Sequence, residues 1–139
     1  MTLYVVDASV AVKWYVPEVH SEKAAILLNS NHKLIAPDLL LPEFGNILWK
    51  KVQRGEIPVE TSRVIKEEFT VLMLEIYPSQ VLLDNAFELA IALQRTVYDC
   101  FYLALAVQQK CQMVTADEKF YNALRNTTYI NNLLWVESL

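Results

Sequence analysis

Residues 98–107 read Tyr-Asp-Cys-Phe-Tyr-Leu-Ala-Leu-Ala-Val, a helix-forming run with one charge and no polar face. A helix that is apolar all round has to be covered on every side. That places it inside a layered domain, and the rest of the chain supplies the layers. Short apolar runs at Leu3–Val6, Leu34–Ala36, Glu75–Tyr77, Met113–Thr115 and Leu134–Val136 read as strands. Helical stretches lie between them: Ala8–Tyr15, Ser21–Ser30 with Ser21 as its cap, Leu40–Arg54, Val59–Leu74, Val81–Gln94, Tyr98–Lys110 and Asp117–Arg125. Gly55 stands where a left-handed residue would end the third of these. Strands alternating with helices predict an α/β fold, with a mostly parallel sheet and helices on both faces. The 139 residues suit one domain, 1–139, with no linker or repeat.

Composition removes several function classes. Hydrophobic residues make up 54% of the chain, enough for a packed core and too many for disorder. The longest stretch without Asp, Glu, Lys or Arg is the 11 residues Asn126–Val136, too short for a membrane span. Asp7 interrupts any signal-peptide core. Two Gly cannot build a Gly-rich phosphate loop, and His20 and His32 form no paired-His zinc motif. Cys100 and Cys111, read on one helix, would stand roughly 16 Å apart, beyond the 7 Å or so that a disulfide spans. Both are expected to be buried thiols in a reducing cytoplasm. The net charge of −4 argues against broad coating of nucleic acid, though not against a small site whose phosphate affinity comes from metal.

The acids carry the candidate chemistry. Sites in open parallel sheets form just beyond the carboxyl ends of strands. Asp7 follows the first strand directly and Asp117 follows the fourth by one residue. Each alone also reads as an ordinary helix N-cap. Asp99 is harder to explain so, because it opens the apolar helix. A helix dipole contributes about 0.3–1 kcal/mol to a carboxylate there, whereas burying an unpaired charge costs several kcal/mol. A cation has to make up the difference, either Arg95 one turn back or a divalent metal. Glu43 heads a polar stripe: at about 100° per residue, Glu43, Asn46, Lys50 and Arg54 fall within about 80° of arc. The stripe reads equally as a solvated face, and Lys51 lies beside it with its stem along the core edge. Hard oxygen ligands with no His or Cys at hand point to Mg2+ or Mn2+ rather than zinc. Two such ions can clamp the attacking and leaving oxygens of a phosphodiester displacement, with no catalytic His required.

Four segments carry a family resemblance, in order and spacing: Val5-Val6-Asp7-Ala8-Ser9-Val10, Pro37–Asn46 with its Leu-Pro-Glu-Phe-Gly-Asn end, Tyr98–Ala106, and Val114-Thr115-Ala116-Asp117-Glu118. Together they resemble the PIN domain, and more narrowly the VapC-like toxins of prokaryotic toxin–antitoxin pairs. The resemblance spans essentially the whole chain. It implies a PIN-like three-layer sandwich and a Mg2+-dependent endoribonuclease acting on RNA through Asp7, Glu43, Asp99 and Asp117. It also implies a small inhibitory antitoxin and a homodimeric toxin. Within that frame Asp7 and Asp99 are expected to lie closest to metal, with Glu43 and Asp117 completing the pocket. Ser9 and Thr115 are candidates to orient the carboxylates, and also read as local caps. Asn46, Lys50 and Arg54 are candidates for phosphate contacts. Lys13 could join them, though it reads better as a solvated surface residue. Cys100 departs from the small residue usual there, and Thr127–Asn132 matches no motif.

Competing readings are weaker on their residues. A Mg2+-dependent phosphatase with an Asp nucleophile wants a second Asp where Ser9 stands. A phospho-accepting receiver wants adjacent acids at the first strand end and a late Lys. A housekeeping PIN-type RNA-processing nuclease would use the same four acids. A PIN-like module that only binds RNA or protein has no reason to keep four mutually repelling carboxylates. The helices from Val59 to Leu93 carry an apolar surplus at Val64, Ile65, Phe69, Val71, Leu72, Met73, Leu74, Val81, Leu82, Leu83 and Phe87. One small sheet covers only part of it, so an interface is expected there.

Overall fold

The computed structural model describes residues 1–29 and 31–139. Five strands, β1 (Thr2–Val6), β2 (His32–Pro37), β3 (Glu75–Tyr77), β4 (Gln112–Thr115) and β5 (Leu133–Trp135), form one sheet in the order β3-β2-β1-β4-β5. Every neighbouring pair is parallel, with Val5 opposite Ile35 on one side and Met113 on the other. The helices are α1 (Ala8–Ala11), α2 (Ser21–Ala25), α3 (Leu40–Gln53), α4 (Val59–Thr70), α5 (Leu83–Leu93), α6 (Val97–Gln108) and α7 (Glu118–Leu124). The chain steps outward through β2 to β3, then returns to β4 and β5 on the opposite side of β1. Helix α3 packs against α1 and α4, and α5 packs against α6. The direction reverses between β1 and β4, and such a switch point opens a crevice at the strands' carboxyl ends.

The sheet centre and α6 form the core. Val5, Val6, Ile35, Val114, Leu103, Leu105 and Ala106 are fully buried, and α6 packs on β1, β2 and β4. The predicted burial of the apolar helix therefore holds. Among the described residues no single helix is long and apolar enough to cross a membrane.

Several local expectations are corrected. Helix α1 tightens into a 3-10 turn at Val12–Trp14. Ser21 does not cap α2; His20 holds that position with φ +68°, and the Ser21 hydroxyl donates to Val16 O and accepts from Glu18 N–H. The predicted end of that helix at Ser30 lies outside the described residues. Helix α4 stops at Thr70 rather than Leu74, and α6 stops before Cys111. Cys100 is thus on α6 and Cys111 in the connection to β4, both free, with Cys111 only half-buried. Gly55 behaves as expected: at φ +72° it donates to Val52 O while Glu56 N–H reaches Lys51 O, which closes α3. Thr127–Asn132 forms a capped 3-10 turn whose Asn132 side chain donates to Cys111 O, so it fastens the start of β4.

Candidate active site

Asp7 leaves the carboxyl end of β1 and caps α1, accepting the Val10 N–H at 3.1 Å. Its carboxylate is also gripped from both sides. Ser9 Oγ donates to Oδ1 and Thr115 Oγ1 to Oδ2, each at 2.6 Å. The same hydroxyls accept backbone N–H groups from the β4–α7 turn: Ala116 N–H on Ser9 and Asp117 N–H on Thr115. Two hydroxyls therefore lock the end of β1 to the end of β4 across the switch point. Asp7 is 7% exposed and Thr115 fully buried. Burial pushes the Asp7 carboxyl up to about 6; the three hydrogen bonds act against this, and the Asp117 charge adds to it.

Asp117 caps α7 by accepting the Phe120 N–H at 3.1 Å, and is exposed. The cap reading thus holds for both strand-end Asp residues, and both also line one cavity. Asp99 opens α6, whose cap is Thr96; its hydroxyl accepts Asp99 N–H at 3.1 Å. Burial raises the Asp99 carboxyl above its ordinary range, partly offset by Thr96; the Asp117 charge raises it further and Arg95 lowers it. Arg95 makes no ion pair with Asp99 among the described residues, so it acts only at a distance. Glu43, half-buried in the first turn of α3, accepts a hydrogen bond from the Tyr102 hydroxyl. Burial raises its carboxyl too, with Tyr102 opposing and the Asp99 charge reinforcing.

These four acids line one cavity of about 170 Å3, together with Ser9 and Tyr102. Their charges form a connected chain: Asp7 feels Asp117, Asp99 feels Asp117, and Glu43 feels Asp99. A larger recess of about 480 Å3 between α5 and α6 holds Glu88 as its one acid, so the carboxylate chemistry belongs to the smaller cavity. Whether a divalent ion fits is decided by the donors. All are hard oxygens, and no Lys or Arg ion pair neutralises any of the four acids among the described residues. Their convergence is incomplete: among the described residues no three Asp, Glu, His or Cys side chains are gathered tightly enough to hold an ion as they stand. Glu43 engages one carboxylate oxygen with Tyr102, and Asp117 one with its own helix. The chemistry of the donor set, hard carboxylate and hydroxyl oxygens, fits Mg2+ or Mn2+.

The stripe behind Glu43 fares differently. Asn46, Lys50 and Arg54 are exposed and none of them lines the cavity. Lys13 is not a solvated lysine: its side chain is 10% exposed and paired with Glu18 at 3.0 Å, and Glu18 also holds Lys51 at 3.1 Å. Tyr102 is the cavity residue that the sequence reading passed over. Its signal was available, because it is one of two hydroxyls in the apolar run, with Tyr98, and stands one turn after Asp99.

Comparison with known proteins identifies the family and the fold. The PIN domain profile matches residues 4–125. Ribonuclease VapC3 of Pyrobaculum aerophilum is 34% identical over 117 residues, covering 83% of this chain and 89% of that protein. Three solved structures share the fold. PAE2754 of P. aerophilum has TM-score 0.66 and 24% identity, covering 99% of this chain and 85% of its own. VapBC2 of Rickettsia felis, bound to a fragment of its promoter DNA, has TM-score 0.64 and 18% identity, covering 96% and 97%. VapC20 of Mycobacterium tuberculosis, described as a sarcin–ricin-loop-cleaving toxin, has TM-score 0.64 and 15% identity, covering 86% and 94%. From the profile match and the VapC3 identity together, the chain belongs to the PIN domain family, among its VapC-like members.

Proposed function

We propose that this protein is a Mg2+- or Mn2+-dependent endoribonuclease and the toxin of a toxin–antitoxin pair. The observation that carries the reading is the chain of repelling carboxylates, Asp7, Asp117, Asp99 and Glu43, around one cavity at the β1/β4 switch point. The likeness to ribonuclease VapC3 supports RNA as the substrate. A bound divalent ion would polarise the scissile phosphate and lower the pKa of an attacking water. Asp7 supplies a carboxylate that cannot drift, because Ser9, Thr115 and Val10 N–H all hold it. Asp99 presents a second from the rigid start of α6. Glu43 and Asp117 close the cavity from two further elements and keep its field negative until cations enter. Asn46, Lys50 and Arg54, exposed on α3 and at its end, extend a cationic track from Glu43 along which RNA phosphates can lie.

Partners follow from the surface. Val64, Val71, Met73, Val81, Leu83 and Phe87 are exposed, six of the eleven residues of the apolar surplus, while Ile65, Phe69 and Leu82 are buried. Leu83, Phe87 and Ile91 repeat every four residues on α5, which suits a homodimer contact. A small antitoxin would bring Arg or Lys into the acid cavity, where a cation satisfies the carboxylates. The complex of VapBC2 with its promoter is a precedent in a protein of the same fold. The test is cleavage of single-stranded RNA by purified protein: activity with Mg2+ or Mn2+ that stops with EDTA supports the reading, and activity that survives full chelation defeats it.

A further inference from the structure

The four carboxylates share their cavity with a single phenol. Tyr102 is 3% exposed, and its hydroxyl donates to Glu43 Oε1. The two residues come from different helices, α6 and α3, and are 59 apart in sequence. Tyr102 also stands three residues after Asp99, on the same helical face. Among the described residues Glu43 accepts no other hydrogen bond, so Oε1 is committed and Oε2 is left uncommitted. A half-buried Glu has three rotatable bonds, and the Asp99 charge repels its carboxylate. Burial and the neighbouring carboxylates keep the phenol protonated, so it remains a donor.

We propose, resting on the metal-nuclease reading above, that Tyr102 is a positioning residue for Glu43: its hydroxyl fixes one carboxylate oxygen so that the other stays available to a divalent cation beside Asp99. The ring alone would fill the space beneath the cavity, and Phe would fill it equally. The inference therefore concerns the hydroxyl.

The test titrates Mn2+ into the purified full-length protein and reads free Mn2+ by electron paramagnetic resonance, without RNA. Four proteins are compared: wild type, Tyr102→Phe, Glu43→Gln and the double variant. Tyr102→Phe is expected to weaken Mn2+ binding about tenfold, the scale for loss of an outer hydrogen bond to a metal ligand. In the Glu43→Gln background the same change is expected to do nothing further. Glu43→Asp, whose shorter side chain keeps the charge but loses reach to the hydroxyl, is expected to match Tyr102→Phe. This second variant also keeps the test valid should Tyr102→Phe fold poorly. Wild-type affinity in Tyr102→Phe, or an equal loss with and without Glu43, overturns the inference while leaving the nuclease reading standing. A wild-type protein that binds no Mn2+ and cuts no RNA overturns both.

Discussion

At the scale of single residues, Thr115 shows how much one hydroxyl can organise. It is fully buried, donates to Asp7 and accepts from Asp117 N–H. Thr115→Val keeps the shape and removes both bonds. The orphaned N–H and the loosened carboxylate are expected to cost about 1–3 kcal/mol of stability and about 10–100-fold in activity. Urea denaturation and RNA cleavage rates check the two halves; an unchanged rate would reduce Thr115 to a cap. The acids themselves were legible in the sequence because each sits at a strand end or helix start, where chain order alone fixes its place. Ser9 and Thr115 were legible for the same reason. Tyr102 was not singled out because an apolar helix suggests packing, and its partner lies 59 residues away. The solvated reading of Lys13 failed on a pairing with Glu18 that helix periodicity does not show.

At the scale of elements, Glu18 ties the segment after α1 to α3 by holding Lys13 and Lys51, whose side chains are 10% and 15% exposed. Burial alone would raise the Glu18 carboxyl, but the hydrogen bonds and charges of the two lysines outweigh it and hold the group below its ordinary value of 4.5. A carboxylate lowered in the folded state adds stability above its unfolded pKa, and loses it as pH falls through the folded pKa. Glu18→Gln is therefore expected to destabilise the protein at pH 7, by about 1–2 kcal/mol, because Lys13 loses its ion pair and Lys51 keeps only Glu56 at 4.0 Å. The penalty is expected to shrink once the pH drops below about 4. Denaturation midpoints of both proteins across that range test this; a gap that widens in acid would contradict it. Helix and strand identities were legible from periodicity, and β3 was placed to the residue. Helix ends were not. Ser21 looked like a cap, but its hydroxyl is taken by Val16 and Glu18, and the chain turns at His20 instead.

At the scale of the whole molecule, the order β3-β2-β1-β4-β5 puts Asp7 and Asp117 just beyond the ends of adjacent strands, which chain order alone did not reveal. The α/β class and the parallel sheet were legible from alternation. The exposed stripe of α5 belongs to this scale as well. Phe87 is 51% exposed, and Phe87→Glu places a charge in the middle of the stripe. The wild type is expected to scatter light as a dimer at micromolar concentration and the variant as a folded monomer. A monomeric wild type would remove the interface. The central claim is that Asp99 and its neighbours cut RNA, and it is tested most directly in cells. RNA ends are sequenced after induced expression of the wild type and of Asp99→Asn, which keeps the shape and removes one metal-binding charge. New internal ends at a restricted set of sites are predicted for the wild type, falling at least about 100-fold in the variant. Equal numbers of the same ends from both proteins would contradict the account.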